Sequence, residues 1–91
     1  MSRRIGKFSV HRDLIDRDPG VVALALGRVV VVRATDSFYE RVVEYVALGD
    51  VFDYVPDSDA IPEYQVLITA HHYAPLDIVN YSVKFVKVSP L

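Results

Sequence analysis

The side chains able to do chemistry in this 91-residue chain are three histidines, twelve carboxylates, six tyrosines and a scatter of serines; there is no cysteine. His71-His72 is the only adjacent histidine pair. Neighbours on a strand point to opposite faces, so one metal ion cannot take both rings unless the chain bends there, and His11 can join them only in space. A zinc site needs three or four ligands with outer support, and no HxH or HExxH spacing occurs. No metal site is expected; one packed and one solvated ring is the simpler reading. Asp57-Ser58-Asp59 looks like the start of a calcium loop. The sixth position from Asp57 is Pro62 instead of glycine, however, and the twelfth is not glutamate, which leaves a turn whose aspartates and serine cap local amides.

The stretch Gly49–Glu63, GDVFDYVPDSDAIPE, concentrates acidity. Asp50, Asp53, Asp57, Asp59 and Glu63 occur with two prolines and no basic residue. Phe52, Tyr54, Val55 and Ile61 are interleaved, so the segment is expected to pack down. Irregular segments longer than about 12 residues are uncommon and often functional. Asp50, Phe52, Asp53, Tyr54, Asp57 and Asp59, with Tyr64, His71 and His72, are therefore the candidate binding residues. They form either a face for a basic partner or, through Tyr54, Tyr64 and His71 or His72, a pocket between sheet and loop. The opposite charge lies at the N-terminus, where Arg3, Arg4, Lys7, Arg12 and Arg17 outnumber Asp13 and Asp16. Such asymmetry can serve self-association or partner choice.

Catalytic signatures are missing from the sequence. Ser2, Ser9, Ser37, Ser58, Ser82 and Ser89 have no GxSxG context, and no P-loop or dinucleotide fingerprint occurs. Asp50 and Asp53 could do acid–base work only in a dry pocket that splits their pKa values. Tyrosines can stack on bases; with a net charge of −2 and no basic groove they read as core-edge residues, and general polyanion binding is not expected.

The elements that must position these residues are organised around RVVVVRA, Arg28–Ala34. Four valines in a row are β-biased and apolar on both faces, so a central strand needing cover on two sides is expected. Before it, Ile5–His11 alternates with Phe8 and Val10 facing in, and Arg12–Arg17 is a polar connection anchored by Leu14 and Ile15. Asp18 suits a helix N-cap, Pro19 the first helical position and Gly27 the left-handed position past the end. A short, largely buried helix over 18–26 is favoured over a strand. After a turn at Thr35–Ser37, FYERVVEYVALG can be a helix capped by Ser37 and Glu40 or a strand paired with the valine run; the hairpin is preferred. Tyr64–Ala70 and Val79–Phe85 alternate and form a second hairpin joined by His71–Asp77, with a bulge or strand end at Phe85-Val86.

DPGVVALALGRVVVVRA followed by EYVALGDVFDYVPDSDAIPEY resembles small uncharacterised proteins of tailed bacteriophages over residues 8–70. The resemblance implies expression in a bacterial host and an accessory or host-modulating role. It also supports a helix at 18–26 and a strand at 40–48; no activity or site residue comes with it.

The expected architecture is one α+β domain over residues 1–91: a predominantly antiparallel β-sheet of about five strands with one short helix, in the order β-α-β-β-β-β. The expected function is non-enzymatic, by binding a partner protein or self-assembling as a homodimer. The alternatives are a small-ligand or nucleotide-binding module and a small hydrolase using His71, His72 and aspartates. No cofactor is expected. The basic MSRRIGKFSV start lacks a signal-length apolar run, and the longest apolar stretch, Gly20–Gly27, is too short to span a bilayer. A cytoplasmic protein without membrane contact is expected, and the lack of cysteine fits a reducing compartment.

Overall fold

A computed structural model describes residues 2–73 and 78–88. Their elements are β1 (Ser2–His11), α1 (Arg12–Arg17), α2 (Pro19–Leu26), β2 (Val30–Ser37), β3 (Val42–Leu48), β4 (Tyr54–Pro56), β5 (Tyr64–Tyr73) and β6 (Ile78–Lys87). The fold is α+β and mostly antiparallel. β2-β3-β1-β4 form one four-stranded sheet, and β5-β6 form a separate ribbon. One parallel bridge, Lys7 with Glu63, joins ribbon to sheet.

Local chemistry explains most boundaries. β1 buries Phe8 and Val10 and exposes Ser9 and His11, as its alternation requires; Ile5, on the face of Ser9 and His11, is buried as well, in a second cluster. Asp18 caps α2 by accepting the Val21 N–H at 3.4 Å, with Pro19 at the first position. α2 buries Val21, Val22 and Ala25 while Leu24 stays exposed. Gly27 departs from expectation: its φ of −68° is helical, so the helix ends without a left-handed residue. The left-handed residue is Arg41 (φ 58°), which closes the four-residue turn between β2 and β3. Residues 12–17, expected as a connection, form helix α1; its cap His11 makes no side-chain hydrogen bond, so no capping signature announced it. Leu14 and Ile15 do anchor it to the core.

The valine run is not the central strand. β3 pairs with β1 on one side and β2 on the other, which leaves β2 at the edge. Two-sided burial falls on β1 and β3 instead. Phe8, Val10 and Ala47 face α2 and the ribbon, and Ile5 and Val46 face Val55 and Ile61 across the opposite surface. An aromatic cluster fills the larger core. The Phe8 ring centroid lies 5.2 Å from that of Phe85, and Phe52 lies 4.8 Å from Tyr64 and 5.4 Å from Phe85.

The second hairpin runs longer than expected. β5 reaches Tyr73, so His71 and His72 lie in a strand and not in a connection; residues 74–77, with Pro75, fall outside the described residues. Pairing is regular from Tyr64–Lys87 to Tyr73–Ile78, without a bulge at Phe85-Val86. Among the described side chains, the ribbon packs on the sheet through its first half. Val66, Val83 and Phe85 are buried or half-buried, whereas Ala70 and Tyr81 are exposed. The result is an elongated molecule of 51 × 29 × 27 Å with a radius of gyration of 14.7 Å, against about 12 Å for a compact chain of this length.

Candidate functional site

The nine sequence candidates do not converge on one site. Tyr54 sits on β4, exposed, with the Arg4 guanidinium 4.5 Å above its ring centre. Tyr64 and Phe52 are buried in the core. The Tyr64 hydroxyl accepts the Asp53 main-chain N–H at 3.0 Å, which ties the start of the acidic segment to β5. His71 lies on the exposed half of the ribbon, opposite Asn80, and His72 opposite Val79. The pocket expected from Tyr54, Tyr64 and the histidines therefore does not form among the described residues.

The acidic segment meets the basic N-terminus within the same chain. Arg4 Nη1 donates to the Asp50 carbonyl at 2.9 Å, Arg3 lies 3.7 Å from Asp57, and Lys87 lies 3.6 Å from Asp53. β4 pairs with Ser2–Arg4, which brings the Arg3 and Arg4 contacts together; Lys87 reaches Asp53 from the end of β6. Asp59 closes a turn by donating its N–H to the Pro56 carbonyl at 3.0 Å. The charge asymmetry of the sequence is thus partly consumed in holding the 49–60 segment against β1. Each of these pairs is exposed and contributes at most about 1 kcal/mol.

Two arrangements escaped the sequence reading. The first is a His71 Nε2 and Ser82 Oγ contact of 3.1 Å. In the β5–β6 register, His71 pairs with Asn80 and Thr69 with Ser82, so His71 and Ser82 are diagonal neighbours on one face; setting that register in advance would have found them. A nucleophile and base within reach need a third group to orient the base. Among the described hydrogen bonds none reaches the other ring nitrogen of His71, and none joins it to an aspartate. No group of three or more His, Asp or Glu among the described residues is placed to hold a metal ion.

The second is a cleft of about 420 Å³ between β1, the two helices and β5. Val10, Leu14, Val22 and Ala25 line it on the sheet-and-helix side, and Tyr64, Val66 and Ile68 on the ribbon side, with His11 and Glu63 also contributing. His11 and Glu63 are exposed. Tyr64 is the one sequence candidate that reaches the cleft.

The outer edge of the four-stranded sheet is the other exposed feature. Val30, Val31 and Val32 are 66%, 38% and 53% exposed, and Phe38 and Tyr39 in the following turn are 80% and 97% exposed. Pairing with β3 slips by one residue between Val31 and Arg33, so Val32 is a bulge. The Arg12 N–H donates to the Arg41 carbonyl, so odd residues of β3 exchange hydrogen bonds with β1 and even ones with β2. Thr35, opposite Glu44, is bonded inward; the main-chain groups of Ala34 and Asp36 project from the open edge. The Asp36 carboxylate is held by Arg12, whose Nε donates to Oδ1 at 3.1 Å.

Among the described residues no helix is long and apolar enough to cross a membrane. Comparison with protein-family models, with curated proteins and with solved structures returns no match.

Proposed function

We propose that this protein is a non-enzymatic interaction module that self-associates through β2, in keeping with the accessory role, in a bacterial cytoplasm, that its phage-protein resemblance implies. The observation that carries this reading is the open β2 edge with its exposed valines. Unpaired strand edges template pairing with another chain, and proteins usually blunt them. Here Val32 supplies a bulge, but Arg33–Ser37 beyond it remains regular.

A second copy suits this edge. Antiparallel pairing about a two-fold axis at Thr35 sets Ala34 against Asp36 twice, and these are the residues whose main-chain groups project outward. Arg33 then meets Ser37, so no like charges oppose each other. The same register brings Val31 and Val32 of one copy to Tyr39 and Phe38 of the other, so the exposed groups of one end cover those of the other. Such an isologous contact closes at two copies.

Sedimentation equilibrium tests the reading. The expected mass is twice 10.3 kDa in the high micromolar range. Ala34→Pro removes an edge N–H that the hairpin does not use and should return the mass to that of one chain. A wild-type chain that stays monomeric, or an A34P variant that dimerises unchanged, overturns it.

A further inference from the structure

The cleft beside β1 has a feature that its apolar lining alone does not convey: two strand edges without a strand partner among the described residues face each other across it. The Lys7 N–H donates to the Pro62 carbonyl at 3.0 Å, so the main chain of Lys7 points away from β3 and toward β5. By strand alternation the N–H and C=O of Ser9 and the N–H of His11 point the same way. On the other wall, the Val88 N–H donates to the Glu63 carbonyl at 2.9 Å. Odd residues of β5 therefore exchange bonds with β6, and the main-chain groups of Val66 and Ile68 face outward. Among the described residues β1 pairs only with β3 and β4, and β5 only with β6, apart from the single bridge at Lys7 and Glu63. Among the described residues no pairing between the two strands continues past that bridge, and Ser9, His11, Val66 and Ile68 all line the space between them.

We propose that this wedge is a binding groove for one extended peptide segment of a partner protein, which adds as a strand between β1 and β5. β1 and β5 are parallel at their bridge, so a strand running antiparallel to both would complete a continuous antiparallel sheet with β3, β1, β5 and β6. Strand addition draws affinity from main-chain hydrogen bonds and selectivity from pockets for alternate side chains. Here alternate side chains would face Val10, Leu14, Val22 and Ala25, which calls for an aliphatic-x-aliphatic pattern. The volume of about 420 Å³ lies within the usual range of ligand sites, about 300–1,000 Å³. The occupant must have both of its edges free. β2 already gives one edge to β3, and β6 one to β5, so the paired strands of a second copy cannot enter. The groove lies on the far side of β1 from β2 and does not depend on self-association.

The test uses the full chain and a capped peptide, Lys-Val-Thr-Val-Thr-Lys, followed by amide NMR spectra and titration. Two further peptides of the same sequence carry N-methyl groups on the amides of alternate residues, one peptide for each phase. The expected result is saturable shifts centred on the amides of Ser9, His11, Val66 and Ile68, slower hydrogen exchange there, and at least tenfold weaker binding in each methylated phase, since alternate amides bond to opposite walls. Weakening in one phase only would mean pairing with a single edge and would overturn insertion between β1 and β5. Equal binding of all the peptides would mean a merely apolar cleft and would overturn strand addition. Shifts centred on β2, or no saturable shift at millimolar peptide, would equally overturn the groove. None of these outcomes bears on the mass measurement that tests β2, so the two readings fail separately.

Discussion

The Tyr64 hydroxyl accepts the main-chain N–H of Asp53 at 3.0 Å, and the Tyr64 ring lies 4.8 Å from that of Phe52. Two residues with the look of a binding surface thus hold the acidic segment onto the core. Tyr64→Phe keeps the ring and leaves the Asp53 N–H without its acceptor, so a loss of about 1 kcal/mol is expected. Urea denaturation followed by circular dichroism checks it; an unchanged midpoint would show that solvent replaces the hydroxyl at no cost.

Gly6 and Gly20 should respond oppositely to alanine. A Cβ at Gly6 would lie 2.7 Å from both Phe52 and Tyr64, whereas at Gly20 the nearest atom is 3.9 Å away. Gly6→Ala overpacks the aromatic cluster and should cost about 1–3 kcal/mol. Gly20→Ala, in the first turn of α2, should gain about 0.5–1 kcal/mol. Thermal melts resolve both, since 1 kcal/mol moves the midpoint by roughly 4–8 °C in a domain of this size.

Arg41 carries the turn's left-handed backbone at φ 58°, which costs a non-glycine residue about 1–2 kcal/mol. Its side chain contributes only an exposed contact with Asp13 at 3.2 Å. Arg41→Gly should therefore raise stability by up to about 1 kcal/mol, and Arg41→Val should lower it by about 1–2 kcal/mol. The pair should be compared in denaturant at high salt, where the Asp13 contact is screened. Equal midpoints for the two variants would contradict the backbone argument.

Val32 occupies the bulge, and the residues on both sides of it keep regular partners on β3. Deleting Val32 should leave the hairpin paired and straighten the β2 edge. Self-association should tighten by about tenfold, equivalent to about 1.4 kcal/mol, with monomer stability changed by less than about 1 kcal/mol. Sedimentation across a concentration series reads the first, and denaturation of the Ala34→Pro background reads the second. Weaker association after the deletion would place the contact elsewhere.

Exposed ion pairs should matter little to the fold. Arg3 with Asp57 at 3.7 Å and Lys87 with Asp53 at 3.6 Å are both solvent-facing. Raising sodium chloride from 0.05 to about 0.5 M shortens the screening length to a few ångströms and should shift stability by less than about 1 kcal/mol. A larger drop in a urea titration would show that the 49–60 segment depends on charge more than on Phe52 and Val55.

Much of what depended on near neighbours could be read from the sequence, although helix α1, the helical φ of Gly27 and the left-handed Arg41 could not. Alternation placed Phe8 and Val10 inside β1, Asp18 and Pro19 marked the start of α2, and the α+β class with two hairpins followed from the strand patterns. These signals are local: side-chain period and capping chemistry act within a few residues. The tertiary structure decided which strands became neighbours. β1 pairs with β3 across more than thirty positions of sequence, and that pairing sent Val30–Val32 to an edge while Val46 and Ala47 took the two-sided burial. It also set Ser82 beside His71, drew Arg3 and Arg4 to the acidic segment, and opened the wedge between Ser9 and Val66. A run of valines specifies a strand with two apolar faces, but whether those faces and edges are covered depends on contacts between distant segments, which local pattern does not encode.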